Sequence, residues 1–316
     1  ISEVIEKQSA RGDIALPSGP FPAERQREIG MQFMKALGFD FAHGRLDTSH
    51  HPFCGGVSQD VRITTRYDES DFTSALMGVL HETGHALYER QLPKAWCDVP
   101  MGQARGMGVH ESQSLFVEMQ VCRSGGFVDW AAPHLQQHFA GTGPAWEVEN
   151  LRKVYRKVER GLIRVDADEV TYPCHVILRF ELEQALISGE LGVADLPEAW
   201  NAKMETFLGV RPETDAMGCM QDIHWMDGAV GYFPSYTLGA LFAAQLFDKA
   251  EAELGGLDDQ FRRGEFAPVI QWLGETVHSQ GSRWTTPELM AQATGEPLGA
   301  GAFLRHVRAR YLDGLR

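Results

Sequence analysis

His81-Glu82-Thr83-Gly84-His85 sets two histidines four positions apart, with a carboxylate beside the first. On an α-helix such positions share one face and lie about 6 Å apart along the axis, a spacing that two imidazoles can close onto one metal ion. This is the H-E-x-x-H arrangement, in which the glutamate takes a proton from water at the metal. In a chain with 12 histidines the motif alone is a moderate signal. Its setting strengthens it, because burying two histidines and a glutamate without a partner costs on the order of several kcal/mol.

A catalytic zinc needs a third protein ligand and keeps its fourth position for water. Glu111 is the first candidate: it lies 111 − 81 = 30 residues after His81, at the start of the next predicted helix. The alternative is a glutamate that merely suits the helix dipole. Glu118, further along the same helix, is the fallback. His110 is a candidate ligand, a partner of a ligand, or a substrate contact. Such a site points to metal-assisted hydrolysis of an amide, with a water pKa of about 7, a polarised carbonyl and Glu82 as general base. It also requires donors for the developing oxyanion, and a cation if the substrate ends in a carboxylate.

The elements that must hold these groups are mostly helices. Asp71 is a predicted N-cap, Leu76, Val79, Leu80 and Leu87 recur at helical spacing, and Pro93 forbids continuation. Residues 1–8 read as the tail of a helix and 12–22 as a loop. Ile29, Phe33 and Leu37 mark a helix closed by Gly38. Residues 50–56 read as a turn, and the alternating run from Val61 to Tyr67 is the best strand candidate. That strand either offers a free backbone edge to an extended peptide or forms a buried ribbon. After a Gly-rich loop at 102–108, helices are predicted over 109–119, 146–161, 172–187, 197–207, 236–254, 266–278, 287–294 and 301–312. No repeat or linker interrupts the pattern, so residues 1–316 are expected to form a single, all-α catalytic domain with a small β-ribbon.

Composition narrows the function classes. With 43% hydrophobic residues the chain can bury a large core, and a net charge of −14 disfavours nucleic acid or an anionic membrane as partner. Five scattered cysteines without a C-x-x-C pair argue against a disulfide framework and a structural zinc site. No apolar run approaches a membrane span and no signal segment is visible, so a cytoplasmic location is expected. The chain starts at Ile1, which suggests a processed form or a fragment.

Six motifs in order, His51-Pro52-Phe53, Asp60-Val61-Arg62-Ile63-Thr64, His81-Glu82-Thr83-Gly84-His85, His110-Glu111-Ser112-Gln113, the segment from Ile163 to Glu169 and the segment from Gly218 to Trp225, resemble the carboxypeptidase Taq type of metallocarboxypeptidase. The resemblance implies an all-helical, neurolysin-like or angiotensin-converting-enzyme-like fold with a long cleft. It also implies a divalent metal (zinc, with cobalt or another divalent ion as alternatives), peptide substrates with a free C-terminus, a cytoplasmic location and a homodimer. Family members extend further on the N-terminal side, so this chain resembles their C-terminal, catalytic portion.

Carried over by motif, the resemblance implies His81, His85 and Glu111 as metal ligands and Glu82 as base. His224 and Tyr236 resemble the histidine and tyrosine that related helical zinc peptidases aim at the scissile carbonyl and its oxyanion; satisfied core residues are the alternative. Tyr232, in the same stretch as Tyr236, is a candidate substrate contact. Arg164 is the first choice for gripping a terminal carboxylate, against a structural ion pair with Asp166 or Asp168. Arg62 is the second choice, unless Asp60 holds it. His51 is a candidate substrate contact near the metal, or a turn cap. An internally cutting oligopeptidase and a non-catalytic metal-binding module are the competing readings. Cleavage of a free-ended but not an amidated peptide separates the first, and Glu82 weighs against the second.

Overall fold

The computed structural model describes residues 1–50 and 52–314. Helices dominate: α1 (Ser2–Ala10) and α2 (Ala23–Ala36) precede three short strands, β1 (Gly44–Thr48), β2 (Phe53–Val57) and β3 (Asp60–Thr65). Then come α3 (Phe72–Gln91), α4 (Gly106–Leu115), α5 (Gly125–Phe139), α6 (Val148–Tyr155), α7 (Tyr172–Ser188), α8 (Leu196–Leu208), α9 (Pro234–Leu254), α10 (Leu257–Arg262), α11 (Ala267–Thr276), α12 (Thr286–Thr294) and α13 (Gly301–Val307). No helix among the described residues is long and apolar enough to cross a membrane.

The described residues divide into two compact units, one of residues 1–12, 156–238 and 307–314, the other drawn from 13–155 and 239–306. In the first, Leu178 and Leu182 of α7 pack on Trp200, Met204 and Leu208 of α8. In the second, Leu76, Leu80, Leu87 and Tyr88 of α3 enter a large core with Phe33 of α2, Phe127 of α5, Phe242 and Leu246 of α9 and Trp272 of α11.

α3 begins where the sequence places it. The Asp71 carboxylate accepts from the backbone N–H of Thr73 at 2.8 Å and from the hydroxyls of Thr73 and Ser74, each at 2.6 Å, satisfying donors that the first turn leaves open. Val79 and Ala86 turn to the other side and pack on Leu46, Val61 and Ile63 of the sheet. The sheet has the order β1-β3-β2, with β1 parallel and β2 antiparallel to β3.

Several expectations need correction. β3 is the central strand, so both its edges are paired, and the open edges belong to β1 and β2. The stretch read as a turn at 50–56 contains most of β2, whose Gly55 and Gly56 weaken the strand signal. The helix expected over 146–161 is only α6, because the chain turns after Tyr155. α5 was not predicted: Gly125, Gly126 and Pro133 hide it. Yet Ser124 Oγ caps the Phe127 N–H at 3.1 Å, and Phe127, Val128, Ala131, Ala132 and Leu135 are buried at helical spacing.

Candidate active site

His81 and His85 stand one turn apart on α3, with ring centroids 5.0 Å apart. α4 approaches this face closely because position 84 is a glycine. A Cβ on Gly84 would lie 2.5 Å from the Gln113 carbonyl oxygen and 2.6 Å from Ser114 Cα, so any larger residue would push the two helices apart. Gly239 of α9 leaves similar room, since a Cβ there would lie 2.8 Å from Glu111 Cβ.

These close approaches bring Glu111 to both histidines. Its Oε1 lies 3.7 Å from His81 Nε2 and its Oε2 3.5 Å from His85 Nε2. One ligand atom from each residue lies within 4.8 Å of the others. A tetrahedral zinc with bonds of about 2.0–2.1 Å separates its ligand atoms by about 3.3 Å, so this donor set fits the ion.

Glu118, the fallback ligand, has a different position. Its Oε2 accepts from His81 Nδ1–H at 2.9 Å and its Oε1 from Arg123 Nη2–H at 2.8 Å. It lies on a π-helical turn, Phe116–Val121, that follows α4. Glu118 thus holds His81 from the side away from Glu111. On the other histidine, His85 Nδ1 lies 2.7 Å from His110 Nδ1, and His110 Nε2 donates to Glu89 Oε1 at 2.8 Å. Both ring nitrogens of His110 are therefore engaged within the protein.

The electrostatics of these side chains favour positive charge between them. Burial, reinforced by the charges of Glu111 and Glu118 and opposed by His81, pushes Glu82 up to about 7. Burial would lower His81, but Glu111 and the hydrogen bond to Glu118 outweigh it and raise the imidazole to about 10. His85 is pushed down to about 4 by burial, against the pull of Glu111. Despite burial, the Glu111 and Glu118 carboxyls are held below their usual range, by His81 for the first and by Arg123 and His81 for the second. A proton on His81 thus carries positive charge that a divalent ion would supply instead.

The first unit holds a second constellation. Arg164 is 5% exposed and pairs with Asp222, not with Asp166 or Asp168. Its Nε and Nη2 donate to Asp222 Oδ1 at 3.0 and 2.7 Å, and its Nη1 to the Tyr172 hydroxyl at 2.6 Å. Arg179 donates to Asp222 Oδ2 at 2.7 Å and to Gln221 Oε1 at 2.8 Å. Asp168 instead accepts from the N–H groups of Val170 and Thr171 and from the Thr171 hydroxyl, fixing the entry to α7. Two buried guanidiniums therefore share one carboxylate among the described residues, which leaves the cluster attractive to an anion. The Arg164 guanidinium lies 4.7 Å from the centroid of the Tyr236 ring, and His224 Nε2 lies 3.0 Å from the Tyr236 hydroxyl oxygen. Burial, with the charge of Arg164, lowers the His224 pKa, and the Tyr232 ring stands 5.3 Å from His224 and 5.5 Å from Tyr236.

Arg62 is exposed and held by Asp60 through three hydrogen-bond contacts. His51 lies outside the described residues. Glu89, Tyr172, Arg179 and Gly239 were not singled out from sequence. Glu89 carried a usable signal, since it stands four positions after His85 on the same helical face. Asp222 lay within a quoted motif without a role.

The family model of carboxypeptidase Taq (M32) metallopeptidases matches residues 1–311. Thermostable carboxypeptidase 1 of Thermus thermophilus is 47% identical over 302 residues, covering 95% of this chain and 59% of that protein. The structure of Trypanosoma cruzi metallocarboxypeptidase 1 superposes with a TM-score of 0.95 at 46% identity, over 98% of this chain and 65% of that one. PZ peptidase A, at 13% identity and a TM-score of 0.63, covers 95% of this chain and half of that one, and shares the fold alone. The chain thus spans roughly three-fifths of the length of these first two relatives.

Proposed function

The chain belongs to the carboxypeptidase Taq (M32) metallopeptidase family, and from that premise we propose that it is a zinc-dependent carboxypeptidase releasing the C-terminal residue of peptides. The observation that carries this reading is the convergence of His81 Nε2, His85 Nε2 and the Glu111 carboxylate at ligand spacing, with Glu82 beside the first of them. A zinc ion held there would polarise the scissile carbonyl and acidify a water. Cobalt or another divalent ion is the alternative.

Glu82 takes the proton of the attacking water and passes it to the leaving amine. Its value near 7 before metal binding suits both halves of that transfer at neutral pH. His224 and Tyr236 carry an N–H and an O–H that can donate to the developing oxyanion. Arg164 grips the terminal carboxylate: three of its N–H groups serve Asp222 and Tyr172, leaving two of the five for a substrate. Tyr232 and His51 are proposed as substrate contacts. Arg62 is a weaker candidate because Asp60 already occupies its fork. The open edge of β2 suits an extended peptide, since this strand packs against α3, the helix that carries His81, Glu82 and His85. A cytoplasmic location and a homodimer are part of the same proposal.

The test is to incubate the zinc-loaded protein with one free-ended peptide and its C-terminal amide and to follow products by mass. Stepwise loss of single residues from the free-ended peptide alone is expected. Internal cleavage of both would identify an oligopeptidase, and cleavage of neither would leave a metal-binding module.

A further inference from the structure

We propose that His110 is a positioning residue which, held by Glu89, fixes the tautomer of His85 and so turns its Nε2 lone pair toward the metal. This rests on the reading of His81, His85 and Glu111 as metal ligands. Glu89 offers His110 a carboxylate oxygen, which accepts hydrogen bonds. The 2.8 Å contact therefore places a proton on His110 Nε2. A neutral imidazole protonated there has a bare Nδ1, and that atom lies 2.7 Å from His85 Nδ1. His85 Nδ1–H must then donate, and His85 Nε2, the atom 3.5 Å from Glu111 Oε2, is left bare for a metal.

The His81 branch reaches the same result with one part fewer. Glu118 accepts directly from His81 Nδ1–H, so His81 Nε2 is the nitrogen that would give up its proton to a metal, while Arg123 keeps Glu118 charged. The two branches differ because His85, Glu89 and His110 come from two helices: Glu89 is one turn beyond His85 on α3, and the His110 ring of α4 stands between their polar ends. With side-chain exposures of 10%, 15% and 28% for His85, His110 and Glu89, bulk water does not readily replace the relay. Because both nitrogens of His110 are used in this way, it has none to offer a substrate.

Zinc affinity of the metal-free protein, measured by competition with a chromophoric chelator, tests the relay without recourse to activity. His110→Phe keeps the ring but removes the acceptor, and should weaken zinc binding by about 10- to 100-fold, the usual effect of losing such an outer partner. His110→Asn puts a carbonyl oxygen near the position of Nδ1 and should stay within about threefold of the parent. Unchanged affinity in His110→Phe, or equal loss in both variants, would overturn the relay and leave the metal site standing. Zinc binding indifferent to His81→Ala and His85→Ala would overturn the metal site itself. If His110→Phe does not fold, the long-range ¹⁵N–¹H spectrum of the zinc-loaded parent decides. A proton on Nε2 of His110 and on Nδ1 of His85 supports the relay, and a proton on Nδ1 of His110 refutes it.

Discussion

Replacing Asp222 by asparagine should destabilise this protein more than removing either arginine that it serves. Asp222 accepts from Arg164 through Nε and Nη2 and from Arg179 through Nε, and the side chains of the two arginines are 6% and 0% exposed. Asparagine keeps one acceptor, loses the charge, and strands two buried cations. Breaking a buried pair from one side costs about 3–5 kcal/mol, because the remaining charge stays desolvated. Arg164→Met is milder: it loses hydrogen bonds worth about 1.5–3 kcal/mol but leaves Arg179 and Asp222 as a balanced pair, so the net loss should be about 1–2 kcal/mol. The double variant should be more stable than Asp222→Asn alone, since one stranded cation is gone.

Urea unfolding of the three variants at pH 7 measures this ordering, with unchanged slopes showing that the native state is otherwise intact. Asp222→Asn no worse than Arg164→Met, or simply additive losses in the double variant, would refute the excess of positive charge. The same excess is the physical reason proposed for this cluster's attraction to a peptide carboxylate. The stability measurement therefore bears on function before any substrate is added.

Glu82→Gln should retain zinc and fold but lower turnover by at least about 100-fold, as read by metal analysis and steady-state kinetics; near-parental turnover would remove Glu82 from the mechanism. Gly239→Ala should weaken zinc binding by about tenfold or more, because its Cβ would stand 2.8 Å from Glu111 Cβ and so displace the proposed ligand; unchanged affinity would show that α9 yields instead. With Glu82 as the proposed base, which must be a carboxylate to accept the proton, kcat/KM should fall as the pH drops. The midpoint should lie between the ordinary carboxylate value of 4.5 and the value of about 7 to which burial pushes Glu82, because a bound dication would pull the pKa back down; activity that rises on acidification would contradict the assignment. Arg164→Lys should lose about 10-fold or more in kcat/KM on free-ended peptides with little change on amides, and equal loss on both would make Arg164 structural only.

What was legible in the sequence is what local rules determine. Asp71, the apolar spacing of α3 and Pro93 define a helix from within about 20 residues of chain, and the i,i+4 geometry then fixes where His81 and His85 stand. The long helices α7, α8 and α9 were legible for the same reason. The sheet was only partly so: β3 has its own alternation, but β1 pairs parallel to it across a loop that contains β2, and nothing local in Gly44–Thr48 announces that partner. α5 shows the reverse error, where Gly and Pro were given more weight than a cap and five buried apolar positions.

In the candidate site, the boundary falls between residue types and their partners. Arg164 invited a choice between Asp166 and Asp168 because they are close in sequence. Yet Asp168 is engaged by Val170 and Thr171 at the entry to α7, Asp166 only ends the 3₁₀ turn that Arg164 begins, and Asp222, 58 positions away, takes the role. Glu118 presents the complementary case. Its spacing of seven residues from Glu111 makes either carboxylate a plausible third ligand by periodicity alone. The distinction arises only in three dimensions, where Gly84 and Gly239 let Glu111 reach both Nε2 atoms, while Arg123 holds Glu118 on His81 Nδ1. The residues that separate the proposed ligand from its proposed support are thus two glycines and an arginine, none of which carries a metal-binding signature of its own.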